Sequence, residues 1–213
     1  MQRSSRRGLD NVVLRGIASD AVLDSYEGDR KPNMQGWIDH SREIGLPCII
    51  MDQEAAAERD TFLFAVQQNP SLLPPASVPP GPTAFSNPGD PTAGLPAVQG
   101  QIASSTTQGL LDSVAGAGFQ VITMDPAVID ALTDTDRAFL DQIGAPIILI
   151  GAPGSDAPFT DTDGTYAAWF ERLGRAAVLT RPDYYLFGSA ENPGDVHALV
   201  ESLSTALGVT IPA

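Results

Sequence analysis

Thiols, amines and basic charge are scarce in this chain of 213 residues. Cys48 is the only cysteine. That excludes an intrachain disulfide, a CxxC redox pair and a cysteine-ligated zinc or iron–sulfur centre. Lys31 is the only lysine, and the 12 basic residues face 26 acidic ones, for a net charge of −14 and a pI near 4.2. Such a surface repels phosphates, so neither nucleic acid nor an anionic membrane is an expected partner. No window approaches the roughly 18 uninterrupted apolar residues that a membrane span requires. Met1 to Arg7 is basic, but Arg15 and Asp20 interrupt the apolar run a signal peptide needs. With a single thiol, a cytoplasmic location is the expectation. Hydrophobic residues make up 43% of the chain, enough to build a core without covalent staples.

The pattern along the chain divides it into three parts: a helical segment over 1–68, an extended Pro/Gly-rich linker over 69–107, and an α/β domain over 108–213. In the first, Ser19 is placed to cap a helix carrying Val22, Leu23 and Tyr26, and Pro32 is expected to bend or break it. Met34, Trp37, Ile38, Ser41 and Ile44 then form a stripe one helix face wide, ended by Gly45 and Pro47. Asp52 should start a further helix from Gln53 to Gln68. Nine of the 18 prolines fall between Pro70 and Pro96, a density that favours an extended surface strap.

From Gly109 onward strands and helices alternate. Phe119–Thr123 and Pro146–Ile150 read as strands, the second buried on both faces. Asp125 with Pro126, and Thr133 with Asp136, read as helix starts. Tyr166–Leu173 reads as a short helix. Ala176–Thr180 and Tyr184–Phe187 form a hairpin across Arg181-Pro182-Asp183, and the last helix runs from Asp195 to Gly208. The order β-α-β-α-β-β-α is that of a thioredoxin-like domain, a small mixed sheet flanked by helices. The position of a thioredoxin active site reads Thr123-Met124-Asp125-Pro126-Ala127, so disulfide exchange is excluded.

Other motifs carry no chemistry. Gly116-Ala117-Gly118 precedes a strand and so cannot aim amides at a pyrophosphate. Gly194-Asp195-Val196-His197 is a helix start. His40 and His197 lack metal-ligand spacing. Asp156, Asp161 and Asp163 with Gly164 read as a capping turn, since the acid expected to close a calcium loop is displaced to Glu171. No serine occupies a nucleophile elbow. No catalytic, cofactor-binding or metal residue is assigned.

Four stretches together resemble one family. They are Asp20 to Pro32 (DAVLDSYEGDRKP), Trp37 to Ser41 (WIDHS), Leu110 to Phe119 (LLDSVAGAGF), and Ala177 to Gly188 (AVLTRPDYYLFG). Their order and spacing resemble the C-terminal portion of single-component FAD-dependent aromatic-ring hydroxylases, in the branch of the 3-(3-hydroxyphenyl)propionate, phenol and polyketide hydroxylases. The resemblance implies hydroxylation of a phenolic ring with FAD and NAD(P)H in full-length members, where the cofactor carries the chemistry. It also implies that 1–68 is a remnant of the flavin and substrate region. The family's N-terminal GxGxxG and second flavin motif are absent. Gly8-Leu9-Asp10-Asn11 is at most a spacing-broken trace of the flavin-edge helix. The chain is therefore expected to hold no cofactor and to be inactive alone. A homodimer or a complementing FAD-binding chain is the expected partner. The alternatives are a stand-alone oligomerisation or interaction module, or one half of a split hydroxylase.

Overall fold

A computed structural model of the protein describes residues 12–73 and 81–209. Gly8 to Asn11, the basic N-terminus and the prolines from Pro74 to Pro80 lie outside the described residues. The chain forms two compact units, one comprising Arg30–Pro80 and the other Met1–Asp29 with Gly81–Ala213.

Helix α1 is Ser25–Gly45, preceded by a 3-10 turn over Asp20–Asp24, and helix α2 is Gln53–Gln68. Asp52 caps α2 as expected, accepting from the Ala55 N–H at 2.9 Å. Two readings need correction. The Ser19 side chain makes no capping bond; the turn is secured instead by Ser25 Oγ donating to the Val22 carbonyl at 2.7 Å. Pro32 does not interrupt α1. The carbonyl deprived of its donor is that of Gly28, four residues back, and both residues are exposed, so water can satisfy it.

The larger unit is built on a seven-stranded sheet of order β2-β1-β5-β4-β3-β6-β7. In chain order these are β1 Gln101–Ala103, β2 Gln108–Leu110, β3 Gln120–Thr123, β4 Ile147–Gly151, β5 Phe159–Asp161, β6 Ala177–Thr180 and β7 Leu186–Ala190. Strands β3, β4 and β5 run parallel, whereas β6 and β7 are antiparallel to their neighbours. The four strands β4-β3-β6-β7, with their helices, are the thioredoxin-like arrangement. Strands β1, β2 and β5 extend it, and β1 lies in the stretch read from sequence as linker. The last strand begins at Leu186 instead of Tyr184 because Tyr184 adopts φ 67° and turns the hairpin.

Both sheet faces are covered, and the period of two in β-structure sorts the side chains. Val121, Leu179 and Phe187 point to one apolar cluster. It also takes Val128 from α4 (Pro126–Ala131), Phe139 and Leu140 from α5 (Asp134–Ile143), and Leu199 and Leu203 from α7 (Val196–Leu207). Ile122, Val178 and Leu186 point to the other, with Leu111, Tyr166, Trp169 and Phe170. Here α3 is Leu111–Ala115 and α6 is Thr165–Leu173. Neighbouring residues thus bury in opposite directions, which is why β3 and β6 are buried at all four positions.

The helix starts follow the sequence reading. Asp125 accepts from the Ala127 N–H at 2.9 Å, and Thr133 and Asp136 form a reciprocal capping box. Gly144 closes α5 at φ 71°. At the last helix, Asp195 serves the turn before it by accepting from the Asn192 N–H at 2.9 Å, and it does not cap α7 itself.

The Pro/Gly-rich stretch runs along β7. Asn87 N–H donates to the Phe187 carbonyl at 2.7 Å, Leu186 N–H to Leu95 at 2.8 Å, and Ala97 N–H to Tyr184 at 2.7 Å. These contacts occupy a sheet edge that would otherwise present unpaired groups. Asp90 fixes the strap by accepting from the Ser189 N–H at 2.7 Å and the Thr92 N–H at 2.8 Å. Burial acts to raise its pKa, but these bonds, with those from the Thr92 hydroxyl and Asn87, outweigh it and hold the carboxyl below its ordinary value.

Tyr166 is fully buried, and its hydroxyl accepts from the Gly100 N–H at 3.3 Å. Burial pushes its pKa up to about 12; the Gly100 bond opposes this, and the charges of Asp161, Asp163 and Asp112 add to it. A folded-state pKa above the unfolded one near 10 means that Tyr166 contributes stability that is full below pH 10. That contribution is lost as pH rises towards 12. Absorbance titration at 295 nm should show one tyrosine ionising last, and Tyr166→Phe should remove that step.

Candidate functional site

The two stretches with the most distinctive sequence pattern, DAVLDSYEGDRKP and RPDYY, lie far apart in the chain. In space they meet at one buried side chain. Arg181 opens the β6–β7 connection and is 4% exposed. Its Nε donates to Asp183 Oδ1 at 3.1 Å, and one terminal nitrogen donates to Asp183 Oδ2 at 3.0 Å, a bidentate pair. The same nitrogen reaches Asp29 Oδ2 at 2.7 Å. The other donates to the carbonyls of Phe85 at 2.6 Å and Pro82 at 3.4 Å. All five guanidinium N–H groups therefore have acceptors. The cation also lies 5.7 Å from the centroid of the Phe85 ring, within cation–π range.

Asp29, in the first turns of α1, completes the junction. Its Oδ1 accepts from the Ala84 N–H at 2.6 Å and from the Phe85 N–H at 3.3 Å. Two carboxylates against one guanidinium leave an excess negative charge, which these amide dipoles help to offset. The ring of Phe85 leads on to Phe187 and Phe119, with centroids 5.6 and 6.1 Å away, so the polar junction rests on the apolar core. Tyr184 adds a further tie, its hydroxyl donating to Asp112 Oδ2 at 3.2 Å. Three of the four stretches singled out in the sequence thus contribute to this corner.

The geometry is structural. A guanidinium saturated by protein acceptors has no donor left for a substrate anion. Sequence reading left Arg181 and Asp29 without a role, because a charged residue in a turn or an early helix reads as a surface residue. The available signal was their presence in two separate motifs with opposite charge.

Asp161 accepts from the Gly164 and Ala167 N–H groups at 3.0 and 2.9 Å, and Asp163 from Thr165 at 3.0 Å, which is a helix-capping turn. His40 lies edge-on to Trp37, with centroids 5.9 Å apart. His197 is half-exposed and donates from Nδ1 to the buried Asp136 at 2.9 Å. Among the described residues, no group of three or more His, Cys, Asp and Glu side chains is placed to hold a metal. Nor is any helix among them long and apolar enough to cross a membrane.

Among the described residues, neither the turn at Gly116 and Gly118 nor the β3–α4 turn forms a pyrophosphate cradle. Gly116 and Gly118, at φ 85° and 153°, lie between α3 and β3, so the turn enters a strand and no helix N-terminus faces a phosphate. Where β3 does lead into α4, Asp125 already fills the helix N-terminus with a carboxylate and Pro126 offers no N–H.

Residues 94–206 match the family described as the HcaD C-terminal domain. The chain is 30% identical over 202 residues to a Rhodococcus jostii protein named Probable NADH-specific resorcinol 4-hydroxylase, a match covering 92% of this chain and 37% of that one. It is 27% identical over 195 residues to a 3-(3-hydroxy-phenyl)propionate/3-hydroxycinnamic acid hydroxylase of Mycolicibacterium gilvum, covering 81% and 34%. Among solved structures it resembles the flavin-dependent monooxygenase PieE in complex with FAD and substrate (TM-score 0.61, 19% identity, 93% of this chain and 42% of that one). It also resembles the anhydrotetracycline hydroxylase OxyS of Streptomyces rimosus (TM-score 0.56, 22% identity, 94% and 38%). At such identities the structural likeness is one of fold. The chain thus spans little more than a third of the curated relatives, and it corresponds to their C-terminal portion.

Removing one partner from a buried ion pair costs about 3–5 kcal/mol, so Arg181→Ala should lose that much in urea unfolding. Arg181→Lys should lose about 2–3 kcal/mol, because one ammonium cannot reproduce the fork. Wild-type stability in either variant would show that the junction is energetically idle.

Proposed function

The chain belongs to the HcaD C-terminal domain family, and we propose that it is the C-terminal region of an FAD-dependent aromatic hydroxylase, working in the cytoplasm. It neither binds flavin nor catalyses by itself. Hydroxylation of a phenolic ring, with FAD and a reduced nicotinamide, belongs in this reading to the complete enzyme. Support for the hydroxylase assignment comes from the curated relatives. Support for the division of labour comes from the glycine turn at Gly116 and Gly118 and the β3–α4 turn, which among the described residues form no cradle for a pyrophosphate.

The observation that carries the reading is the helical unit Arg30–Pro80. Trp37 is 41% exposed, Ile38 56%, Ile44 64% and Phe64 68%. Large apolar side chains left exposed in number on one unit support an association surface. Val22, read from sequence on the preceding helix, is buried in the core of the larger unit, while Met34, Trp37, Ile38 and Ile44 of the stripe stay exposed. A flavin-binding polypeptide is the partner this surface fits, because the relatives are longer single chains.

The purified chain should be colourless and should not oxidise NADH when a phenol such as resorcinol is added. Mixed with a separately produced flavin-binding region of a family hydroxylase, it should co-elute with it. Trp37→Asp combined with Ile38→Asp should weaken that association at least tenfold. A yellow chain with phenol-dependent NADH oxidation of its own would overturn the proposal.

A further inference from the structure

The segment Val12–Asp29 is separated in sequence from the rest of its unit by the whole of Arg30–Pro80, yet it is fixed there at several points. Val12, Ala18 and Val22 are buried in the same apolar cluster as Phe187 and Leu203. Arg15 donates to the carbonyls of Gln142 at 3.0 Å and Ile143 at 3.4 Å, the last residues of α5. A cation on the open carbonyls of a helix C-terminus is favoured by both hydrogen bonding and the helix dipole. At the other end of the segment, the Asp29 carboxylate meets Arg181 and two backbone amides.

These contacts have the form of peptide recognition. Apolar side chains enter a cluster, a cation is read at one end and an anion at the other, and opposite charges fix the direction of the segment. The fixed contacts are made by side chains of the segment, so chain continuity is not needed to form them.

We propose that residues 81–209 carry a separable docking site for the segment Val12–Asp29, with Arg181 as the recognition point for its carboxylate and the C-terminus of α5 as that for its arginine. The occupant is this chain's own segment, and Arg30–Pro80 is the tether that keeps it at high local concentration. This inference stands independently of the proposed hydroxylase assignment.

The test cuts the tether. A site for a specific protease is inserted after the exposed Leu73, the full-length protein is cleaved after folding, and the product is passed through size exclusion at micromolar concentration. The two fragments of the wild-type chain should co-elute. Asp29→Ala should weaken their association about a hundredfold, as expected for removing one of the two carboxylates paired with a buried guanidinium and the acceptor of the Ala84 and Phe85 amides. Arg15→Ala should weaken it only a few-fold, and Asp24→Asn on the exposed side should leave it unchanged. Hydrogen exchange on the uncut Asp29→Ala chain, with β3 and β4 amides still protected, separates loss of docking from loss of fold. If wild-type fragments part at micromolar concentration, or Asp29→Ala fragments stay together as tightly as wild type, no such site exists.

Discussion

A buried arginine with every donor filled is the constraint on which this architecture turns. Arg181 cannot be buried without acceptors, since an unpaired charge in a core costs several kcal/mol. Its acceptors come from three places: Asp183 in its own turn, Asp29 at the start of the long helix, and the carbonyls of Pro82 and Phe85 in the strap. Burying one cation therefore commits three chain segments to one arrangement. The net energetic worth of such a junction against an apolar core is modest, but removing a single member is severe, and that asymmetry gives it the power to specify.

The commitment explains the placement of the rest. With the strap fixed at Ala84 and Phe85, Asn87 and Leu95 meet the edge of β7 and Asp90 can collect its amides. The same point fixes the first turns of the long helix, and Val22 is delivered to the core. Tyr184 is held at positive φ within the hairpin that presents Arg181. That conformation costs about 1 kcal/mol or more in a residue other than glycine, and the bond to Asp112 is one contact that holds it.

Much of this was legible in the residues. The β-branched and apolar runs of β3, β4 and β6, the capping box of Thr133 and Asp136 and the glycine stop at Gly208 are local, and local patterns can be read directly. Strands β1, β2 and β5 have three residues each, too few for a period of two to show, so a strand was hidden in a proline-rich stretch. Pro32 was read as a break because its cost is real, but an exposed Gly28 carbonyl makes that cost payable by water. The junction itself was invisible: Asp29 and Arg181 are 152 positions apart, and no spacing rule links them.

The central claim is that Asp29 and Arg181 act as a coupled pair, holding the helix start and the hairpin turn together. A double-mutant cycle of Asp29→Ala and Arg181→Ala in urea unfolding measures that coupling directly. The account predicts a coupling energy of about 2–3 kcal/mol, with the double variant far less destabilised than the sum of the singles. Additive losses, with coupling within about 0.5 kcal/mol of zero, would contradict it.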